Sequence, residues 1–232
     1  MTVEEIIEQV RWCIDEEPRA DRDYEDTYMD NIIKSKIGAA LRWCAMYADA
    51  VLLNGDNSAD SGAGGMTHDY TVGTTQSDTE PYLQNGFIIL PIDTIRVTRV
   101  KVSTWHKGVS AFISEDSDEY LMQSDDTSKA TIDRPVCAII ETTPIKMQPF
   151  PTPSAGATVE ISLISSPNDD DIIKERTEGG ETIEYVSVPP KLSSALCYYI
   201  AYLLMCAYSD TTKASAMLSI AKQQISVTVD NK

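Results

Sequence analysis

The stretch of this chain that says most about the fold runs from residue 188 to residue 208: Val188-Pro-Pro-Lys-Leu-Ser-Ser-Ala-Leu-Cys-Tyr-Tyr-Ile-Ala-Tyr-Leu-Leu-Met-Cys-Ala-Tyr208. A proline in the first turn of a helix loses no hydrogen bond and already has a helical φ, so the Pro-Pro pair predicts a helix start. The residues that follow are apolar or aromatic on nearly every side of that helix, whereas a helix on the surface of one domain shows a single apolar stripe.

Two interpretations of this helix stay open. It is either the centre of the chain's own core, or it is covered on one side by its own domain and on the other by neighbouring copies. It is not predicted to cross a membrane, because serines and tyrosine hydroxyls interrupt it and a span needs about 20 consecutive apolar residues. A polar break at 209–212 then leads into a second predicted helix, from Ala214 to Ile225.

The N-terminal end of the chain also predicts two helices. Thr2 and Glu5 have the spacing of a capping box and begin an amphipathic helix over residues 2–14. From about Thr27 to Leu53 apolar residues recur at spacings of three and four, which predicts one long helix. Its apolar positions are Met29, Ile32, Ile33, Ile37, Ala40, Leu41, Cys44, Tyr47, Ala48 and Val51.

The middle of the chain is patterned differently. Residues 55–86 are rich in Gly, Ser, Asp and Thr, and we expect them to form a long flexible loop. Apolar and polar residues then alternate over residues 95–102, which indicates a strand with one exposed face. Further short strands are predicted at 86–91, 109–113, 136–141, 158–164 and 183–188.

The predicted fold class is therefore α+β, a helical body made of the N-terminal and C-terminal helix pairs with an inserted antiparallel β-lobe of about six strands. The predicted divisions are 1–54 with 189–225 for the ring-forming helical body, 55–86 for the loop, 87–188 for the β-lobe and 226–232 for a C-terminal docking tail.

In that tail region Ile225, Val227 and Val229 alternate with polar residues, and such a segment can add a strand to a sheet edge of another protein. A disordered end, or a strand that completes the chain's own sheet, explains the pattern equally.

Composition limits the function classes. The net charge is −17, from 36 acidic and 19 basic residues, which argues against binding a phosphate backbone by charge neutralisation. An acidic surface lets a polyanion slide past without sticking, although ordinary solubility explains the same charge. Five widely spaced cysteines indicate buried, reduced thiols, and the start Met-Thr-Val-Glu-Glu predicts no signal peptide, so a reducing cytoplasm is expected.

We predict no catalytic, cofactor or metal site and do not expect an enzyme. The two histidines, His68 and His106, lie in no ligand or general-base motif, and the sequence has no phosphate loop, nucleophile elbow or zinc motif. The acidic clusters lack the spaced, glycine-containing loop of a calcium site and are interpreted as solvated loops. They lie at 21–26, 115–119, 125–126 and 169–171.

The order of these parts resembles the head-to-tail adaptor, or connector, proteins of short-tailed bacteriophages and their ring-forming relatives in crAss-like phages. The resemblance covers most of residues 1–225. It is carried by the helix end Ala48-Asp-Ala-Val-Leu-Leu-Asn54, by the step Leu90-Pro-Ile-Asp-Thr-Ile-Arg96 with Trp105 after it, and by Val188-Pro-Pro190 before Tyr198-Tyr-Ile-Ala-Tyr-Leu-Leu204.

The resemblance implies a structural virion protein in the neck of the particle, assembled in the host cytoplasm. Copies would form a homo-oligomeric, twelvefold ring under the portal protein, with the β-lobe facing tail or second-tier ring proteins. DNA would pass through the channel, with no specific nucleic-acid binding and no membrane contact. Ile225, Val227 and Val229 would dock on the portal, and the ring interface would use Tyr199, Tyr202, Leu203, Met205 and Tyr208.

Two alternatives to this function remain. One is another ring or stopper protein of the neck or tail, which would share the same kinds of contact but have different partners. The other belongs to a different class, a cytoplasmic ligand-binding module that recognises its ligand through the loops of the β-lobe. An enzyme would need acids or His106 to converge in a cleft with shifted pKa values.

Overall fold

A computed structural model of the protein describes residues 1–15, 24–53, 66–167 and 172–226, except for the side chains of 24–26. In these ranges it is a mixed α/β protein, and none of its helices has the length and apolarity that a membrane span requires. The helices are α1 (Val3–Cys13), α2 (Tyr24–Tyr47), α3 (Ala50–Leu53), α4 (Asp118–Leu121), α5 (Ser193–Ala207) and α6 (Thr211–Gln224). The strands are β1 (Thr67–Thr71), β2 (Tyr82–Gln84), β3 (Phe87–Ile89), β4 (Thr94–Val102), β5 (Ile113–Ser114), β6 (Val136–Thr142), β7 (Ile145–Phe150), β8 (Val159–Ser165), β9 (Ile173–Glu178) and β10 (Glu181–Val186).

The chain divides into two compact units. The helical unit comprises Met1–Met66 and Pro167–Lys232, and the β unit comprises Thr67–Ser166. This division differs from the predicted one, which placed residues 87–188 in one lobe. Strands β9 and β10 belong to the helical unit, while β1 and β2 come from the segment predicted as a loop.

In the helical unit, α1 begins where the sequence predicted. The Thr2 hydroxyl accepts a hydrogen bond from the Glu5 amide at 3.1 Å, and the Glu5 carboxylate accepts one from the Thr2 amide at 2.8 Å. The capping box is therefore confirmed. The core of the unit is built from apolar side chains of α1, α2 and α5, among them Ile6, Val10, Ile33, Ile37, Leu41, Leu196, Ile200 and Leu204.

The long second helix is shorter than predicted. It ends at Tyr47, and a separate short helix, α3, follows at residue 50. The Asp49 amide donates to the carbonyl of Ile225 at 3.0 Å. In a continuing helix this amide would donate to the carbonyl four residues earlier, so the contact with a distant segment replaces a helical hydrogen bond. The C-cap predicted at Asn54-Gly55 lies outside the described residues.

Strands β9 and β10 form a two-stranded hairpin in the helical unit. Its turn is Gly179-Gly180, and both glycines have positive φ, 61° and 92°, as a tight hairpin turn requires. The hairpin is joined to the helices by the ion pair of Lys34 with Glu184, whose atoms are 2.6 Å apart. Sequence analysis missed β9 because its Lys-Glu-Arg-Thr-Glu run has no apolar alternation.

The β unit consists of two sheets. One has the strand order β1-β8-β4, and the other has the order β2-β3-β7-β6-β5, in which only the short β5 pairs in parallel. The prediction of six antiparallel strands was therefore incomplete. Apolar side chains from both sheets form a common core with Trp105, and its buried members include Ile88, Val100, Val102, Cys137, Met147, Val159, Ile161 and Leu163.

Strand β7 was missed because it contains Pro149 and is flanked by Pro144 and Pro151. Proline cannot donate a hydrogen bond to a neighbouring strand and is normally confined to sheet edges. In the structure β3 pairs only with Lys146 and Met147 of β7. Pro149 lies past the end of β3, where that side of β7 is a sheet edge, and it pairs with β6 on the other side. The predicted strand at 109–113 is reduced to a single bridge between Val109 and Val100 and the two residues of β5.

Candidate functional site

An apolar depression in the helical unit lies where α2, α5 and the end of α6 meet. It has a volume of about 800 Å³. We call it the helical groove, and it is lined by Ala39, Arg42, Trp43, Met46, Tyr47, Tyr199, Tyr202, Leu218, Lys222, Ile225 and Ser226. It combines a floor of aromatic rings with a rim of two long basic side chains.

Aromatic rings from two helices form the floor. Trp43 and Tyr47 are one helical turn apart on α2, and Tyr199 and Tyr202 are three residues apart on α5, so each pair lies on one face of its helix. The Trp43 and Tyr199 rings stack with centroids 4.2 Å apart, and the Tyr199 and Tyr202 centroids are 5.3 Å apart. Aromatic pairs of this kind contribute about 0.5–1.5 kcal/mol each beyond simple burial.

The groove remains partly open to solvent. Trp43 is buried, but Met46 and Tyr47 are 51% and 60% exposed. The apolar spacing predicts Tyr47 and Val51 on the buried stripe of one helix, but both are exposed. Tyr47 is the last residue of α2, and Val51 lies in the separate helix α3, so the two do not share one continuous helical face. Exposed apolar side chains that adjoin an apolar depression are typical of a surface that another molecule covers.

The electrostatic character of the groove is opposite to that of the chain. Within the described part of the chain, its charged lining residues are Arg42 and Lys222, and both are basic, although the protein has 36 acidic residues against 19 basic ones. Tyr199 and Tyr202 add no charge at neutral pH. Burial is the main cause that raises the pKa of Tyr199, and a hydrogen bond with Cys206 is the main cause that raises the pKa of Tyr202.

Three cysteines of the helical unit, Cys13, Cys44 and Cys197, do not supply a nucleophile to this region. Burial raises the pKa of Cys44 and that of Cys197 to about 12, and the pKa of Cys13 to about 11. Since the thiolate is the reactive form, these side chains are neutral packing groups at physiological pH. Cys206 is exposed, unlike the buried thiols that the sequence predicted.

The other candidate chemistry is dispersed. His106 hydrogen-bonds Asp133 at 2.5 Å, but both side chains are about two-thirds exposed and no cleft encloses them. Across the described ranges, no group of three or more His, Cys, Asp or Glu side chains is placed to hold a metal ion. The acidic clusters at 169–171 and 21–23 lie outside the described residues.

The predicted interface residues of α5 are divided between the core and the surface. Tyr199, Tyr202 and Leu203 are half-buried at the surface, and Tyr208 is exposed at the end of the helix. Met205 is only 8% exposed and packs inside the helical unit, so it offers little surface to a neighbour.

Ile225, the first of the three predicted docking residues, does not belong to a tail. Ile225 is buried, it follows the last turn of α6, and its carbonyl accepts the Asp49 amide. It is therefore part of the helical unit and not of an alternating tail. Val227 and Val229 lie outside the described residues.

Several groove residues were not singled out from the sequence. Trp43, Met46, Leu218 and Lys222 come from two helices that are far apart in the chain, and no local pattern joins them. The available signal was the spacing of the aromatic residues. Trp43 with Tyr47, and Tyr199 with Tyr202, each place two aromatic residues on one helical face.

No protein-family model matches this chain, and a comparison with curated proteins found no match either. Its function is therefore inferred from these surfaces and from the sequence pattern.

Proposed function

We propose that this protein is a structural virion protein, a head-to-tail adaptor that forms a ring under the portal and links it to the tail. The observation that carries the proposal is the helical groove, an aromatic and apolar surface on α2 and α5 that the described part of the chain leaves open. Surfaces of this composition are enriched at protein interfaces, where aromatic residues and arginine supply most of the binding energy.

The two sides of α5 support this reading. Leu196, Ile200 and Leu204 are fully buried in the core of the helical unit, whereas Tyr199 and Tyr202 line the groove. This arrangement favours the second interpretation of the apolar helix, in which its own unit covers one side and a neighbouring copy covers the other.

In this proposal the helical unit, made from both ends of the chain, is the ring-forming body. The intervening β unit is an inserted lobe that contacts tail proteins or a second ring. The net charge of −17 fits the lining of a channel through which DNA passes, because repulsion prevents the polyanion from sticking. The portal is the partner on the head side.

Another ring or stopper protein of the neck remains the nearest alternative, since it would use the same kind of interface with different partners. A ligand-binding module is a candidate of another class, and the volume of the groove is in the range of small-molecule sites, about 300–1,000 Å³. Its wide opening between three helices favours a protein partner over an enclosed small molecule.

Co-sedimentation with the assembled portal ring from the same genome tests the proposal. We expect the full chain to sediment with the ring and to add a second ring of density in negatively stained particles. A chain that ends at Ser226 retains the helices α1 to α6 and should bind more weakly if the terminal residues dock on the portal. Unassembled portal subunits serve as the control for non-specific binding.

Each outcome has a distinct meaning. Failure of the full chain to bind the assembled ring would remove the adaptor proposal and favour a position further along the neck or a different class of binding protein. Equal binding by the full and shortened chains would keep the adaptor proposal and remove the docking role of Val227 and Val229.

A further inference from the structure

We propose that the helical groove of one copy receives the acidic α4 region of a second copy of this chain, so that copies associate head to tail. We call residues 115–122, which include α4, the α4 knob. The proposal deepens the function proposed above, on which the closure of such contacts into a ring rests. It gives the β unit, which carries α4, a second role: besides facing tail proteins or a second ring, it contacts the ring-forming helical unit of a neighbouring copy. The contact itself is argued from two surfaces with opposite charge and matching apolar character.

The α4 knob combines exposed apolar side chains with acids. Leu121 and Met122 are adjacent in sequence and are 65% and 49% exposed. The same short segment carries four exposed acidic residues, Glu115, Asp116, Asp118 and Glu119. An exposed apolar pair beside carboxylates is costly for an isolated surface, because the apolar area would be better removed from water.

The knob is held in a defined shape before any partner binds. The Ser117 side chain caps α4 by accepting a hydrogen bond from the Tyr120 amide at 3.3 Å. The Tyr120 hydroxyl donates to Gln148 on β7 at 2.9 Å, and its ring meets that of Phe150 edge to face. An ordered segment loses less entropy on binding than a loop that must first fold.

The helical groove provides the complementary surface. Arg42 and Lys222 are both basic, and the aromatic rings of Trp43 and Tyr199 form an apolar floor. Leu121 and Met122 of the second copy would cover this floor while its carboxylates meet the basic rim. Burial of the apolar side chains would supply most of the affinity, and the charges would set orientation and association rate.

Charge also explains why a second copy is the occupant. Two copies with a net charge of −17 repel each other over most of their surfaces. Association is therefore favoured only where one surface reverses the sign. Among the residues that the structure describes, the charged side chains lining the groove are basic, and Lys222 is exposed there. A groove that binds a different surface makes a heterologous contact, which generates rings or open filaments.

Two variants with exposed substitutions test the contact. The groove variant carries Met46→Glu and Lys222→Glu, and the knob variant carries Glu119→Lys and Leu121→Lys. Sedimentation velocity at increasing concentration should show self-association of the unchanged protein. Each variant alone should associate at least about tenfold more weakly, as hot-spot substitutions do. Trp12→Glu and Ile132→Lys, which change exposed apolar residues elsewhere, serve as matched controls.

Mixing the two variants gives the decisive measurement. The groove variant still has an intact knob and the knob variant an intact groove, so an equal mixture should form one-to-one dimers that grow no further. A protein that stays monomeric at every concentration, variants that associate like the controls, or a mixture that does not dimerise would each overturn the proposal. Circular dichroism checks folding, and the single substitutions Lys222→Glu and Glu119→Lys replace any variant that fails to fold.

This result is separable from that of the adaptor proposal. A monomeric protein that still binds the assembled portal ring would remove the head-to-tail contact and leave the adaptor in place. Head-to-tail association without portal binding would keep the contact and remove the adaptor.

Discussion

Trp43 of α2 and Tyr199 of α5 stack face to face, with ring centroids 4.2 Å apart and ring planes 9° from parallel. This stack joins two helices that are more than a hundred residues apart in the chain, and it forms the floor of the helical groove. Trp43 is therefore both a packing residue of the helical unit and part of its candidate interaction surface.

Replacing Trp43 with alanine should lower the free energy of unfolding by about 3–5 kcal/mol, because it removes a large buried side chain and leaves a cavity. Urea unfolding followed by circular dichroism measures the change. Trp12→Ala is the matched control, since Trp12 is 65% exposed and its loss should change the free energy by no more than about 0.5 kcal/mol. Equal losses in the two variants would show that the stack contributes little.

The buried ion pair of Arg11 with Asp30 links α1 to α2, with Nη2 and Oδ1 2.8 Å apart. Asp30→Ala leaves a buried guanidinium without this carboxylate, so we expect a loss of about 3–5 kcal/mol in the free energy of unfolding. Lys129→Ala breaks an exposed pair with Asp126 and should leave stability nearly unchanged. A stable Asp30→Ala variant would mean that water or other groups replace the carboxylate.

Alkaline pH should destabilise the β unit through Cys137. Burial raises the pKa of this thiol from about 9 to about 12. The unfolded thiol ionises near pH 9 while the folded thiol stays neutral. The stability that the neutral buried thiol contributes is therefore fully present below pH 9 and is lost as the pH rises toward 12. Between pH 8 and pH 10 the unchanged protein should lose about 1.4 kcal/mol more stability than Cys137→Ala does.

The measurement is urea unfolding at the two pH values, and only the difference between proteins is compared, since lysines and tyrosines titrate in the same range. Cys206→Ala, which removes an exposed thiol, should keep the pH dependence of the unchanged protein. The same pH dependence in Cys137→Ala would argue that this thiol is not protected by burial.

The hairpin of β9 and β10 should depend on glycine at position 180. Its φ is +92°, and no atom lies within 4 Å of the place where a Cβ would be, so an added methyl group strains the backbone without a clash. Gly180→Ala should cost about 1–2 kcal/mol. Gly73→Ala, at a position with no positive φ and only ordinary contacts near 3.9 Å, should cost little or nothing. Thermal unfolding of both variants checks the prediction, and similar shifts in Tm would refute the strain argument.

Features of the fold that depend on residues near one another in the chain can be predicted from the sequence alone. The capping box of Thr2 and Glu5 needs only four consecutive residues, and the helices α2, α5 and α6 follow from periodicity and from their start signals. The alternation of β4 likewise gave a strand, because a pleated strand places successive side chains on opposite faces. These signals are local, so they are readable without the tertiary structure.

Which surfaces are covered depends on how distant segments pack together. Tyr47 continues the apolar spacing of α2 but is exposed, while Ile225 looked like the start of a tail but is buried. Pro149 lies in a strand because its neighbour ends before it, and the charged strand β9 exists because β10 and a Gly-Gly turn complete it. The helical groove joins residues 39–47 to residues 199–226. Burial and strand pairing depend on which distant segments meet, and no local sequence pattern carries that information.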